Sequence, residues 1–347
     1  MCDTVMSRDE ISKWLRCNDR NALKKLYRRA DEVRERSVGE EIHVRGIINI
    51  SNYCTEDCLY CGLRAGNAEL KRYRLTPKEI VATTMSAASA GYRTMVLQSG
   101  EDPHFTEEMV AGIVRKIKSK CDIAITLSLG ERREETYRAW FEAGADRYLL
   151  KHETSDAELY ARLHPGERCE ERIEALRTLK RIGFQTGSGI MVGLPGQTYE
   201  SVASDILLFR ELDLDMIGCG PFVANPKTPL TEATPDATRF IQPDDVSVYK
   251  VVALTRIVNP LAMLPATTAL FTINPREGRR TALAAGGNVV MFDVTPASVK
   301  SFYEIYPKTP LEDGIGNFTK LCRSLEALAG RKVSFSKGHS PKSPALS

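Results

Sequence analysis

The sequence lacks any long apolar run. None of its stretches approaches the roughly 18 consecutive apolar residues that a membrane span requires. Its first ten residues are polar and lack the apolar core of a secretory signal. It also lacks a dominant charge. The 48 basic and 45 acidic side chains leave a net charge of +3, which gives no reason to expect nucleic acid or an anionic membrane as partner. A disulfide framework is missing too. Of nine cysteines, Cys2, Cys17, Cys121, Cys169, Cys219 and Cys322 are scattered and three are clustered, the pattern of a reduced, cytoplasmic chain. What is present is 347 residues, 42% hydrophobic and 27% charged. That is ordinary globular composition, with length for one α/β barrel or two smaller domains.

Residues 8–37 read as helical, with Leu23, Leu26 and Ala30 among Lys24, Arg28 and Arg29. They are expected to form an N-terminal helical segment (1–40) that closes one end of the fold. From residue 42, short apolar runs alternate with amphipathic stretches. Strands are predicted at 44–51, 94–99, 123–128, 147–151, 187–192, 216–220, 264–268 and 289–292. Helices are predicted at 77–90, 107–118, 132–143, 170–182, 199–212, 244–258 and 275–285, with Thr76 and Pro77 opening one and Gly91, Gly144 and Gly183 closing others. Strand followed by helix, repeated about eight times, implies parallel strands with right-handed crossovers. An open doubly wound sheet and a closed (β/α)8 TIM-type barrel both fit, and eight units over roughly 250 residues favour the barrel. The barrel is expected over 41–310, a helical extension over 311–331, and a disordered tail rich in Ser, Lys and Pro over 332–347.

Cys54-Thr-Glu-Asp-Cys58-Leu-Tyr60-Cys61 follows the first predicted strand, and in a barrel that loop lies at the mouth where active sites sit. Three thiolates on one loop can bind three irons of a cubane and leave the fourth open. Structural zinc prefers four ligands, commonly paired knuckles, and no second knuckle is present. Other polar residues fall at strand ends. Gln98-Ser99-Gly100-Glu101-Asp102 ends the second, and as an isolated segment it is a common turn. Thr126 and Ser128 alternate on the third and can both face inward. Lys151-His152-Glu153-Thr154 ends the fourth, either at a cavity or in a surface ion network, with His152 read as a structural, hydrogen-bonded histidine. Thr267 and Thr268 end the seventh, where β-branched residues suit a strand anyway. Arg172 by pattern belongs to a helix surface. The glycine-rich run from Gly187 to Thr198 is neither a P-loop nor a dinucleotide fingerprint, and its glycines are expected to allow close backbone approach to a ligand.

The C-x3-C-x2-C spacing resembles the signature of the radical S-adenosylmethionine (SAM) superfamily. The resemblance narrows to the FeFe-hydrogenase maturase branch, HydE, over residues 58–64, 71–74, 97–103, 126–131, 147–150, 191–198 and 265–269. It implies one 4Fe–4S cluster on Cys54, Cys58 and Cys61, with SAM on the open iron and an electron from a flavodoxin or ferredoxin. Tyr60 would lie against the adenine. Glu153 and Arg172 would bind the methionyl part of SAM, with Gln98 and Ser99 nearby. Thr126, Ser128, Thr267, Thr268 and Tyr303 would line an inner cavity for a small amino-acid-like or iron–cysteine-complex substrate. The glycine-rich run would touch SAM through its backbone. Biotin synthase and methylornithine synthase are similar, so a mutase is the alternative enzyme reading. A non-catalytic iron–sulfur carrier is the alternative of another class. Two positions depart from the branch. Lys151 replaces an Arg in the substrate cavity, a point charge for a planar fork. Of three C-terminal cysteines that hold an accessory cluster in some members, only Cys322 remains, with Leu311 and Thr319 at the other places, so no second cluster is expected.

Overall fold

The computed structural model describes residues 6–230, 236–307 and 315–343. Its centre is a parallel barrel of β1 (Ile42–Asn49), β2 (Thr94–Gln98), β3 (Ala124–Ser128), β4 (Arg147–Leu149), β5 (Gln185–Val192), β6 (Met216–Pro221), β7 (Pro265–Ala266) and β8 (Val289–Asp293). Neighbours pair in the order β6-β5-β4-β3-β2-β1-β8-β7. The register of β1 runs from Gly46 opposite Met95 to Asn49 opposite Gln98 on one side, and from His43 opposite Val289 to Ile47 opposite Asp293 on the other. Met263 completes the ring. Its N–H donates to the Asp215 carbonyl at 2.8 Å and its carbonyl accepts from Ile217 N–H at 3.0 Å. The architecture is the TIM-type barrel that the strand–helix alternation predicts.

The outer layer carries α3 (Pro77–Ala90), α4 (Glu107–Lys118), α5 (Glu134–Glu142), α6 (Ala157–Leu163), α7 (Cys169–Ile182), α8 (Tyr199–Glu211), α9 (Asp245–Val258), α10 (Thr268–Ile273), α11 (Gly278–Ala284), α12 (Ala297–Lys300) and α13 (Phe318–Ala329). Local chemistry sets several boundaries. Thr76 and Glu79 form a reciprocal capping box behind Pro77, and Gly91 and Gly183 end α3 and α7 at φ of 123° and 114°. The seventh strand is shorter than predicted because the Thr267 side chain turns to accept the Leu270 N–H at 3.3 Å and caps α10. Thr268 therefore opens a helix rather than ending a strand.

Two expectations about the ends need correction. The N-terminal segment forms α1 (Arg8–Arg16) and α2 (Arg20–Val38), but these lie on the flank, against α8 and α9. Ion and polar contacts hold them there: Arg16 to Glu200 at 2.6 Å and buried Lys250 Nζ to the Leu15 carbonyl at 2.6 Å. The closing element is the segment expected to be disordered. Residues 332–343 are packed. Val333–Ser334 forms β9 beside Ile42 and His43, and the chain then crosses the N-terminal end of the barrel. The Lys337 carbonyl accepts from Arg147 Nη2 at 2.8 Å and Thr94 Oγ1 at 2.7 Å. Ser340 N–H donates to Gln185 Oε1 at 2.8 Å. Composition missed this because, beside buried Val333 and the His339 ring, the segment fills the floor mainly through backbone groups. Leu311 lies outside the described residues; Cys322 is buried within α13.

Candidate active site

The loop after β1 is tied down on every side. Thr55 N–H donates to the Glu101 carbonyl at 3.0 Å, Leu59 N–H to the Leu163 carbonyl at 2.9 Å and Gly62 N–H to the Ile305 carbonyl at 2.8 Å. Arg72 spends its guanidinium on loop carbonyls, at 2.8 Å to Leu63 and 2.7 Å to Arg64. Fully buried Asp102 accepts from Ser51 Oγ at 2.6 Å and from Arg74 at 2.7 and 2.9 Å, and Arg74 lies 3.6 Å from the Tyr53 ring centre. Arg72, Arg74 and Asp102 are thus the scaffold of the loop. Spacing alone does not reveal that role, although all three fall inside the stretches that carry the resemblance.

On this loop Cys54, Cys58 and Cys61 are free and partly buried. Cys54 Sγ accepts the Glu101 N–H at 3.3 Å. Gly100 makes this approach possible: a Cβ there would stand 2.4 Å from the Tyr53 carbonyl oxygen and 2.6 Å from Cys54 Cβ. Burial pushes the Cys61 thiol up to about 12, and the neighbouring Cys54 charge adds to it. Burial raises Cys58 as well, reinforced by Cys61 and Cys54. Burial of this kind disfavours free thiolates, and a bound metal would supply the charge that stabilises them. Among the described residues no three His, Cys, Asp or Glu side chains converge on a single ion. A body that offers each sulfur its own iron fits this spacing better than one zinc ion does.

Beside the loop lies an acidic cluster around one guanidinium. Arg172 is 9% exposed, not on a helix surface as its pattern suggests. It contacts Glu131, reaches Glu167 at 2.9 Å and Glu101 at 3.9 Å, and donates to the Lys151 carbonyl at 3.3 Å. Burial raises the Glu101 carboxyl to about 7. It also raises Glu56, whose carboxyl donates a hydrogen bond to the lowered Glu167 carboxylate. Carboxylates outnumber the cation here, so the cluster suits a guest carrying positive charge together with one carboxylate. Tyr60 Oη lies 2.8 Å from His164 Nε2.

Inside the barrel is a cavity of about 260 Å³, lined among others by Tyr60, Gln98, Thr126, Lys151, Glu153, Thr267 and Thr268. Glu153 holds φ at 63°, the left-handed region that disfavours a side chain. Its carboxylate meets Lys151 Nζ at 2.8 Å. Thr126 Oγ1 is buried with no hydrogen-bond partner among the described residues. Gly220 leaves room for the opposite wall, where a Cβ would lie 2.8 Å from Thr267 Oγ1. Three predicted residues stand apart from this lining. Tyr303 is buried behind Gln98, whose Nε2 donates to its hydroxyl at 3.0 Å. Ser128 stands at the mouth end of β3, where its carbonyl accepts the Ser99 N–H at 3.0 Å. Ser99 turns its hydroxyl to the Gly100 carbonyl at 2.6 Å. Buried His152 meets Ser188 Oγ at 2.8 Å. The glycine-rich run splits into β5 and a turn in which Gln197 Oε1 accepts the Gly193 N–H at 2.8 Å, so the turn is satisfied internally. Arg45, Asn49 and Asp293 also line the cavity. Sequence reasoning missed them; their signal is a polar residue on the inward phase of β1 or β8.

The profile of the Radical SAM superfamily matches residues 48–209. The [FeFe] hydrogenase maturase subunit HydE of Thermotoga maritima is 46% identical over 301 residues, 87% of this chain and 84% of that protein. The chain belongs to the radical SAM superfamily. It is a HydE-like radical SAM enzyme, and the superfamily's chemistry implies a 4Fe–4S cluster and SAM. The 3-methylornithine synthase of Methanosarcina acetivorans is 30% identical over 82% of this chain and 79% of that protein. The crystal structure of methylornithine synthase (PylB) superposes with a TM-score of 0.82 at 26% identity, covering 95% of each chain.

Proposed function

We propose that this chain is a hydrogenase-maturase-type radical SAM enzyme acting on a small amino-acid-like or iron–cysteine-complex substrate, with one cluster on Cys54, Cys58 and Cys61. The observation that supports the reading is three free thiols on one braced loop, whose Tyr60 also lines the barrel cavity. When bound at Cys54, Cys58 and Cys61, the cluster and SAM would supply one-electron radical chemistry to the substrate. The protein's share is binding and exclusion of water. Arg172 would receive the SAM carboxylate. Glu153 would receive its amino group, with Gln98 and Ser99 nearby and Tyr60, fixed by His164, against the adenine. Thr126, Lys151, Thr267 and Thr268 would hold the substrate, with Ser128 at the rim and Tyr303 fixing Gln98 from behind. A low-potential donor such as a flavodoxin or ferredoxin would supply the electron. Among the described residues no helix is long and apolar enough to cross a membrane, and we place the enzyme in the cytoplasm with no nucleic-acid partner.

The test is anaerobic reconstitution with iron and sulfide, followed by reduction and EPR with and without SAM. A 4Fe–4S signal that shifts with SAM, together with 5′-deoxyadenosine formation, is expected. An unchanged spectrum for Cys58→Ala would overturn the ligand assignment. The carrier reading predicts a cluster without SAM cleavage, and a lined cavity has no use in it. The mutase reading rests on the methylornithine synthase relative, and formation of 3-methylornithine would select it.

A further inference from the structure

The cavity contains a carboxylate that the reading above does not use. Asp293 ends β8, is 7% exposed and lines the cavity. Its orientation is fixed: Oδ1 accepts the Thr295 N–H at 2.9 Å and Oδ2 accepts from Asn49 Nδ2 at 3.3 Å. Asn49 is held in turn by its own N–H, which donates to Thr295 Oγ1 at 2.9 Å. Both donors are neutral. Among the described residues no cation pairs with this carboxylate, and Lys300 Nζ, at 2.8 Å, binds only the Asp293 backbone carbonyl. A buried carboxylate without a cation is strongly unfavourable unless a guest supplies the charge.

The rest of the cavity indicates what that guest is. Lys151 follows the end of β4, which lies across the barrel from β8 in the strand order. Between them on β3, Thr126 is 1% exposed and its Oγ1 has no hydrogen-bond partner among the described residues. The cavity, at about 260 Å³, falls below the roughly 300–1,000 Å³ of sites for drug-sized ligands, so the guest is small. We infer that Asp293 takes the ammonium group of a small zwitterionic substrate whose carboxylate is taken by Lys151, with Thr126 bonding between them. The inference rests on the proposed function, because Glu153 must turn from Lys151 to SAM for the lysine to be available.

The experiment uses the reconstituted enzyme saturated with SAM. Calorimetric titration compares L-cysteine, L-serine and L-ornithine with their Nα-acetyl derivatives, and each amino acid with its carboxamide. At least one amino acid is expected to bind tenfold or more tightly than its Nα-acetyl form. That preference should fall below threefold in Asp293→Asn. In Lys151→Met the preference over the carboxamide should be lost while the preference over the acetyl form remains. Equal binding of every acetyl pair to the wild type, or a preference untouched by Asp293→Asn in a variant that keeps its cluster signal, overturns the inference. The wild-type comparison decides the matter without any variant. Failure of the underlying reading is visible earlier, as a missing cluster signal or a missing SAM shift before any amino acid is added, and the inference then falls with it.

Discussion

Replacing Gly100 by alanine tests the cluster assignment without touching a cysteine. The new methyl group would lie 2.4 Å from the Tyr53 carbonyl oxygen, 2.6 Å from Cys54 Cβ and 3.1 Å from its Sγ. Two of these atoms belong to a backbone carbonyl and a short side chain on a loop braced by Arg72 and Arg74, so neither can rotate away. The loop must retreat by about half an ångström or more, at an overpacking cost of about 1–3 kcal/mol. Against a total stability of roughly 5–15 kcal/mol, the barrel still folds, with a melting temperature lower by a few degrees. Cys54, however, leaves its hydrogen bond to Glu101 N–H, and cluster occupancy falls to about half or less, the response of a site that needs sub-ångström placement. Iron and sulfide analysis with EPR after anaerobic reconstitution reads the occupancy, and thermal circular dichroism reads the fold. Gly112→Ala is the control, since a Cβ there meets nothing within 4 Å. Full cluster content in Gly100→Ala would refute the reasoning, because Cys54 would then not depend on this approach.

Glu153→Gly should separate stability from binding. It removes a left-handed side-chain penalty of about 1 kcal/mol, so the melting temperature holds or rises while the SAM-induced EPR shift disappears; a retained shift would exclude Glu153 from the SAM site. Burial, with the charges of Arg45 and Arg147, lowers His43 to about 4. The unfolded chain, titrating near 6.5, binds a proton that the folded one refuses. The stability is fully present above about pH 6.5 and lost as pH falls towards 4, up to about 3 kcal/mol; parallel urea-midpoint profiles for wild type and His43→Gln between pH 7 and 4.5 would contradict this. Ending the chain after Arg331 removes the Lys337 and His339 partners of Arg147 and the Gly338 acceptor of Arg45, and should reduce stability by about 2–4 kcal/mol. The cluster spectrum should remain, because the floor and the cluster lie at opposite ends of the barrel.

The barrel was legible because each strand is a short apolar run and each helix carries its own cap, so Thr76 with Pro77, Gly91 and Gly183 mark boundaries that the structure keeps. The place of the cysteine loop, directly after β1, was legible from the order of strands. Arg172 was not legible by pattern: an arginine in an amphipathic helix reads as solvated, and only the fold shows the three glutamates gathered round it from separate loops. Asp293 and Arg45 went unread for the opposite reason, since a single polar residue in a strand says nothing about whether its side faces water or a cavity. The tail was misread because Lys337, Gly338 and Ser340 act through backbone groups, which composition does not register.

The line where β6 meets β7 sets how the barrel can breathe. β7 is only Pro265–Ala266, and proline offers no N–H to a neighbour, so Met263 carries the junction through its bonds to Asp215 and Ile217. Elsewhere, as between β1 and β2, the ladder runs through the barrel wall. Local opening follows the least-bonded line, and amide hydrogen exchange should be fastest at Met263 and Ile217 among the barrel strands. The wall bearing Thr267 and Thr268 can widen while the braced cysteine loop stays still. A guest larger than the resting cavity would enter by parting that seam, leaving the iron-binding side undisturbed.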